Sequence, residues 1–273
     1  MMLINPYVFS IGFDVDAQAF ITATGITDTT QKNAINQLVL DLKSANIWTK
    51  MKAIYPFVGG TASTHRFNLK APTTNNSDFY MNFFGGWTHS ATGALPNGAN
   101  AYIDTFVQPS AHQTDYTAHL SIYSRTSAAA LTTVAGHGIY DSATKCSYMI
   151  IRRGVDNIHG GAVWEDGSYN AVGVAGSPNG QGFHVLSRTA LNSLNFYKNN
   201  TLLYTNASTV PTPTLSTSKY FLSAINGVGS PSVNTYDNKE LAFASIGAGL
   251  DSTESTALYN AVQTFNTTLS RNI

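Results

Sequence analysis

Apolar residues in the middle of this chain recur at every second position, and that pattern narrows the fold more than any other feature. Tyr116, Ala118, Leu120 and Ile122 alternate with Thr117, His119, Ser121 and Tyr123, the period of a strand whose side chains point by turns to opposite faces. The reading is a half-buried antiparallel strand with one apolar and one polar face. Leu194–Tyr197 and Leu202–Tyr204 flank Lys198-Asn199-Asn200-Thr201, and asparagine tolerates the positive φ that a tight hairpin turn requires. Further strands are expected over Ile54–Val58, His65–Leu69, Phe79–Phe84, Ala101–Val107, Cys146–Arg153, Asn157–Trp164, Gly182–Ser187, Tyr220–Ile225 and Leu241–Ile246. Short strands broken by Gly, Pro, Asn and Ser clusters point to a sandwich.

Helical spacing is confined to two places. Asp28-Thr29-Thr30-Gln31 reads as a capping box, and Ile35, Leu38, Val39 and Leu42 follow as one apolar stripe. Asp251-Ser252-Thr253-Glu254 repeats the cap, with Leu258, Val262, Phe265 and Leu269 as its stripe. These predict amphipathic helices over about 28–46 and 251–270, each laid by one face on something apolar. With no linker between them, the chain reads as one domain over 1–273.

Lys and Arg number 15, as do Asp and Glu, a balance that excludes a strongly basic nucleic-acid surface. Asn, Ser and Thr make up roughly 30% of the residues, an uncharged hydrogen-bonding coat suited to an extracellular or particle-surface β protein. Cys146 is the one cysteine, so it forms no internal disulfide and is expected to be a small buried residue. The first basic residue is Lys32 and no window is long and apolar enough to span a membrane, so neither a secretory signal nor membrane insertion is expected. An extracellular position would be reached by another route, such as a particle released by lysis.

Thr24–Asp28, Ile47-Trp48-Thr49-Lys50-Met51-Lys52-Ala53-Ile54-Tyr55-Pro56-Phe57-Val58-Gly59-Gly60 and His65–Lys70 resemble a segment that recurs in bacteriophage virion and tail-fibre-like proteins. Phe196-Tyr197-Lys198-Asn199-Asn200 resembles the hairpin of laminin-G-like and concanavalin A-like jelly rolls. Ala242–Leu250 followed by Leu258–Phe265 looks like the last strand and terminal helix of the same virion group. The resemblance implies a mainly β, concanavalin A-like antiparallel sandwich (jelly roll) used as a virion surface module. It also implies a capsid decoration, head-fibre or short tail-appendage subunit, with other virion proteins as partners. Some such proteins bind glycans.

The same sandwich hosts glycoside hydrolases, which need two carboxylates roughly 5 to 10 Å apart. This chain has three glutamates, Glu165, Glu240 and Glu254, and lacks the Glu-x-Asp-x-x-Glu strand motif of the laminarinase-like branch. Glu254 caps a helix, and Glu165 and Asp166, adjacent in a strand, would point to opposite faces. No Gly-x-Ser-x-Gly elbow, His-x-x-x-His pair or Cys-His zinc spacing occurs among the seven histidines. No catalytic residue, cofactor or metal is therefore expected. Asp14, Asp16 and Asp141 offer oxygens to calcium but lack the spacing of a calcium loop, and they read as strand-end and turn residues.

Glycan binding by a sandwich uses exposed aromatics beside Asp or Asn. Trp164, Asp166, Tyr169 and Asn170 combine these types in one expected loop, and Trp87 beside Gly85-Gly86 is a second candidate. Core packing is the competing account of both tryptophans. The leading expectation is a non-enzymatic virion structural protein at the particle surface. The alternative is a carbohydrate-binding, lectin-like module that attaches to a host surface glycan. Closed cyclic association, a trimer by preference, would bury leftover apolar surface. Residues 1–24 are the expected attachment strand, since Tyr7, Phe9, Ile11 and Phe13 alternate with Val8, Ser10 and Gly12, unless that strand completes the chain's own sheet.

Overall fold

The computed structural model describes residues 12–113, 116–131, 135–142, 145–154, 156–163, 179–209, 215–232 and 234–273. Its strands, numbered in chain order, form two eight-stranded sheets. Sheet A runs β12 (Thr201–Asn206), β11 (Ser193–Lys198), β10 (Gly182–Ala190), β6 (Ala118–Ser124), β16 (Leu241–Gly247), β4 (Gly93–Pro96) and β3 (Trp87–Ser90), with β1 (Met51–Tyr55) also paired to β16. Sheet B runs β15 (Ser230–Pro231), β14 (Ile225–Gly227), β7 (His137–Ser142), β13 (Phe221–Leu222), β5 (Tyr102–Asp104) and β2 (Asn82–Phe84), with β8 (Lys145–Ile150) on β7 and β9 (Gly160–Val163) on β8. Pairing is antiparallel except between β14 and β7. The chain is mainly β and its two sheets make a sandwich. The β11–β12 hairpin turns as expected, with Asn199 at φ 46° and Asn200 at φ 63°.

The central strands of sheet A, β6, β10 and β16, are buried on both faces, while the edge strand β12 leaves Leu202 50% and Tyr204 37% exposed. Leu120, Ile122, Leu186, Phe196, Ala244 and Ile246 point into the core shared with Met81, Ile103, Met149 and Leu222 of the opposite layer. Tyr123, Phe183, Val185, Tyr197 and Phe243 point the other way, into a second core with the helices. That core is closed by α1 (Val15–Thr24), α2 (Thr29–Ser44) and α5 (Ser252–Thr268), through Phe20, Ile35, Leu38, Val39, Leu42, Leu258, Val262 and Phe265. A fully buried side chain of this size stabilises by about 1.5–3 kcal/mol relative to exposure. The architecture is thus a sandwich with a helical layer on one side.

Several expectations need correction. The polar face of β6 is not solvated, because alternation reports polarity and the helices supply the cover. His119 there sits 2.6 Å from the Ala248 carbonyl and 3.0 Å from Ser245 Oγ, which in turn bonds Ser121 Oγ at 2.7 Å. Within the expected attachment strand, Val15–Thr24 is helical, since Ala17, Phe20 and Ile21 fall on one buried face and Asp14 caps the first turn. Tyr7, Phe9 and Ile11 lie outside the described residues. Asp14 and Asp16 are helix-start residues that hold Lys43 Nζ at 2.7 and 2.6 Å. His65–Leu69 is not a strand. It starts at the last residue of a one-turn helix, α3 (Ala62–His65), whose Thr61 cap accepts from Thr64 N; a second one-turn helix, α4, is Pro109–His112. The Asp28 box is half made: Asp28 accepts from Gln31 N, but the Gln31 side chain turns away to accept from Gly59 N at 2.8 Å. The Asp251–Glu254 box is complete, and Glu254 also holds Lys50 at 2.6 Å.

Two groups of buried polar residues shape the stability. Arg271, 1% exposed, donates from Nη1 to Phe57 O, from Nη2 to Pro56 O and Ala242 O, and from Nε to Asn266 Oδ1, all at 2.7–2.8 Å. It ties the end of α5 to β16 and to the turn after β1. The second group is histidine. Burial, followed by the nearby charges of His89 and Arg271, pushes His65 down to about 3. Burial holds His119 and His159 at about 4 and His184 well below the ordinary value. His65 Nδ1 lies 2.9 Å from His89 Nδ1, so the two rings share one proton.

The histidine shifts fix the sign of the acid response. The unfolded chain protonates these four near pH 6.5 while the native state resists, so their contribution is full above about pH 6.5 and is lost as the pH falls toward 4 and 3. The urea midpoint is expected to be level from about pH 8 to 7 and to fall steeply from about pH 6.5 to 4, with unfolding near pH 5 taking up about four protons. A level midpoint across that window would contradict the burial. Arg271→Leu strands buried carbonyls and is expected to cost about 3–5 kcal/mol in denaturant unfolding.

Candidate functional site

With the centre of sheet A covered on both sides, the outer face of sheet B is the broad strand surface next to consider. Part of that face is occupied: Cys146, Tyr148, Ile150, Ala162 and Ile225 are all less than 5% exposed and make a small cluster against which Tyr140 packs. Over β2, β5 and β13 the same face carries an aromatic row instead. Register places Phe84 opposite Tyr102 and Phe221 opposite Asp104, so these residues share a face while Phe83, Ile103 and Leu222 turn into the core. The Phe84 and Tyr102 rings are stacked at 4.7 Å and 9°, and Tyr102 meets Phe221 at 4.8 Å. Phe84, at the sheet edge, is 41% exposed.

Beside the row lies a cleft of about 250 Å³ lined by Asp104, Thr217, Ser218, Lys219, Phe221, Asn226, Val228 and Gly229. Asp104 accepts from Phe106 N at 2.8 Å and meets Lys219 Nζ at 3.3 Å. The Lys219 ammonium also sits 4.3 Å over the Phe106 ring. Asn226 donates to Lys219 O and accepts from Gly229 N, both at 2.8 Å, which fixes the loop. Burial, then the Asp104 charge, raises the Tyr102 hydroxyl pKa, so its phenol stays neutral at physiological pH. Through Phe221, 3% exposed, the row thus adjoins an acceptor, an ammonium donor and two hydroxyls, and an aromatic face near such polar groups suits a polyhydroxylated ring.

The far rim of the row is a glycine–asparagine corner. Gly85 has φ +75°, and a Cβ there would stand 2.2 Å from Asn100 O. Asn97 Oδ1 accepts from Ala99 N and Asn100 N, and Gly86 N donates to Asn100 Oδ1. Trp87 sits beside this corner, packed edge-on against Phe83 at 5.1 Å, with its indole N–H donating to Phe84 O at 2.9 Å. That tryptophan therefore braces the row from behind.

Trp164, Asp166, Tyr169 and Asn170, with Glu165, lie outside the described residues. Asp141 accepts from Ser216 Oγ and Val228 N. Glu240 accepts from Thr92 Oγ1 at 2.6 Å and lies 3.6 Å from Arg125. Among the described residues no three His, Cys, Asp or Glu converge as metal ligands. The aromatic row was missed because Phe79–Phe84 and Ala101–Val107 were legible as strands while their outward positions were not. Its signal was present in Asn82-Phe83-Phe84 and Tyr102-Ile103-Asp104, where one aromatic in each must face out.

No family model matches the chain, and no curated protein does. Solved structures match it by shape. Botulinum neurotoxin type C, whose way into cells depends on interaction with two ganglioside molecules, aligns at 12% identity and TM-score 0.54 over 81% of this chain and 53% of that one. The binding domain of botulinum neurotoxin DC, in complex with rat synaptotagmin II, aligns at 11% identity and TM-score 0.54 over 80% and 53%. A mutant of Trypanosoma rangeli sialidase displaying trans-sialidase activity aligns at 12% identity and TM-score 0.52 over 84% and 39%. The chain spans about half the length of the toxin chains it matches. At these identities the likeness establishes the β-sandwich fold.

Gly85→Ala is expected to disturb the rim, since the added methyl meets backbone and φ is positive. Thermal unfolding should show a loss of about 1–3 kcal/mol, and an unchanged midpoint would show that the corner is not tightly packed.

Proposed function

We propose that this chain is a carbohydrate-binding, lectin-like module that serves host attachment, with a virion surface as its setting. The observation that carries the reading is the stacked Phe84–Tyr102 pair at the edge of sheet B, which the buried Phe221 ring links to the Asp104–Lys219 cleft. A ring face stacks on a sugar's C–H face, and the neighbouring polar groups select hydroxyl orientation. Binding without turnover fits the carboxylates: Asp104 is committed to Lys219 and Phe106 N, and Glu240 and Glu254 are committed to other partners. The shared fold adds support, since botulinum neurotoxin type C depends on ganglioside interaction. The virion setting draws its support from the sequence resemblance of 47–60 and 242–265.

The test is a glycan array followed by titration calorimetry on the best ligand. Phe84→Ala and Asp104→Ala are each expected to weaken binding at least about tenfold, with circular dichroism unchanged for Phe84→Ala because that ring lies at the surface. Binding that survives both changes would remove the row from the site. Release of free sugar from a bound oligosaccharide would replace the binding reading with an enzymatic one.

A further inference from the structure

Val228 stands at the tip of the β14–β15 hairpin, 73% exposed, with φ +57°. Among the described residues it is the one β-branched residue at positive φ, a conformation such side chains adopt only under constraint. Phe57 and Phe79 also have positive φ, but they are 0% and 6% exposed, so core packing offsets their strain. Val228 has no such burial. Its turn is nevertheless well held: Asn226 Oδ1 accepts from Gly229 N, and Asp141 Oδ1 accepts from Val228 N. Glycine or asparagine would fill this position without strain, and valine adds only an exposed apolar side chain on the wall of the cleft.

Resting on the carbohydrate-binding reading above, we propose that Val228 is a specificity-determining residue that contacts the methyl group of an uncharged sugar. Val228 and Phe221 supply apolar wall to the cleft, while Asp104, Lys219 and Ser218 supply polar wall. A ligand matching both has a methyl group close to hydrogen-bonding groups, as an acetamido sugar or a 6-deoxy sugar does. The Asp104–Lys219 pair is internally neutral and the Asp141 carboxylate stands against Val228 N, so the cleft offers no net positive charge to an acidic sugar. At about 250 Å³ it is smaller than the roughly 300–1,000 Å³ of drug-sized sites, a size for one sugar ring.

The experiment titrates the full chain with the methyl glycosides of N-acetylglucosamine, glucose, L-fucose and L-galactose, two pairs that differ by the methyl-bearing group. Wild type should prefer one methyl-bearing member over its partner, and which pair responds distinguishes the acetamido from the 6-deoxy source. Val228→Gly should raise the thermal midpoint by about 2–4 °C while weakening the preferred sugar about fivefold, leaving its methyl-free partner unchanged. Val228→Thr keeps the branched shape and the strain. It should leave the midpoint in place and still weaken that sugar. If wild type binds sugars and both variants bind them equally, the Val228 assignment is overturned and the carbohydrate reading stands. If wild type binds none of the four and no glycan on an array, both fall.

Discussion

The covering of the centre of sheet A on both faces is the constraint from which much of the structure follows. Its central strands β6, β10 and β16 alternate large apolar residues toward sheet B with Tyr123, Phe183, Val185 and Phe243 toward the helices. A sheet in that position cannot offer a binding surface without giving up one of its two cores. The strand surfaces left for contact are the outer face of sheet B and the β12 edge of sheet A. Sheet B can carry an outward row because α1, α2 and α5 pack on sheet A and because β2 is a short edge strand beside the three-residue β5.

The same double covering explains the unusual load of buried polar groups. Residues that would be solvated in an ordinary sandwich, such as His119, Ser121, Ser187 and Ser245, are enclosed beneath the helical layer and must find partners there. Ser187 Oγ both donates to Leu250 O and accepts from Leu250 N, at 2.7 Å each. On the other side, Asp237 is fully buried between Lys239 Nζ and His137 Nε2, each at 3.0 Å. Burial alone would raise its pKa, but the Lys239 charge and the His137 contact hold it down at about 2. His137 Nδ1 accepts from Ser223 N, which fixes the ring beside Asp237. A chain with few charged residues uses some of them as internal fasteners, and those fasteners tie its stability to pH.

The sandwich and the two long capped helices were legible in the sequence because period two, period 3.6 and caps are local signals. Leu120 and Ile122, or Leu258 and Val262, announce a face wherever they sit. Exposure is a tertiary property, and there the sequence misleads: His119 and Ser121 look solvated and are buried, while Phe84 looks like core and is 41% exposed. The α1 helix was hidden because the alternation of Tyr7 to Phe13 runs straight into it, with only Asp14 marking the change. The candidate loop around Trp164 had the right residue types in one short window, whereas the Phe84–Tyr102–Phe221 row draws on three strands distant in sequence. Only pairing brings those three together.

Strain is distributed in the molecule according to what holds it. At Phe57 and Phe79 a positive φ sits under a buried ring, so the local cost is offset by apolar burial worth more than the strain. Ser223, also at positive φ, is fully buried with its amide bonded to His137. Around the aromatic row the arrangement differs. Phe106, at φ 59°, is held by the hydrogen bond its backbone N–H donates to Asp104 Oδ1 and by Lys219 above its ring, and both Asp104 and Lys219 line the cleft. A ligand that drew Lys219 or Asp104 toward itself would loosen the restraint on Phe106, so the cleft and the backbone beneath it form one coupled unit. Rigid layers on the far side make that coupling tolerable: sheet A and its two cores supply the stability, and the edge of sheet B can carry geometry chosen for contact.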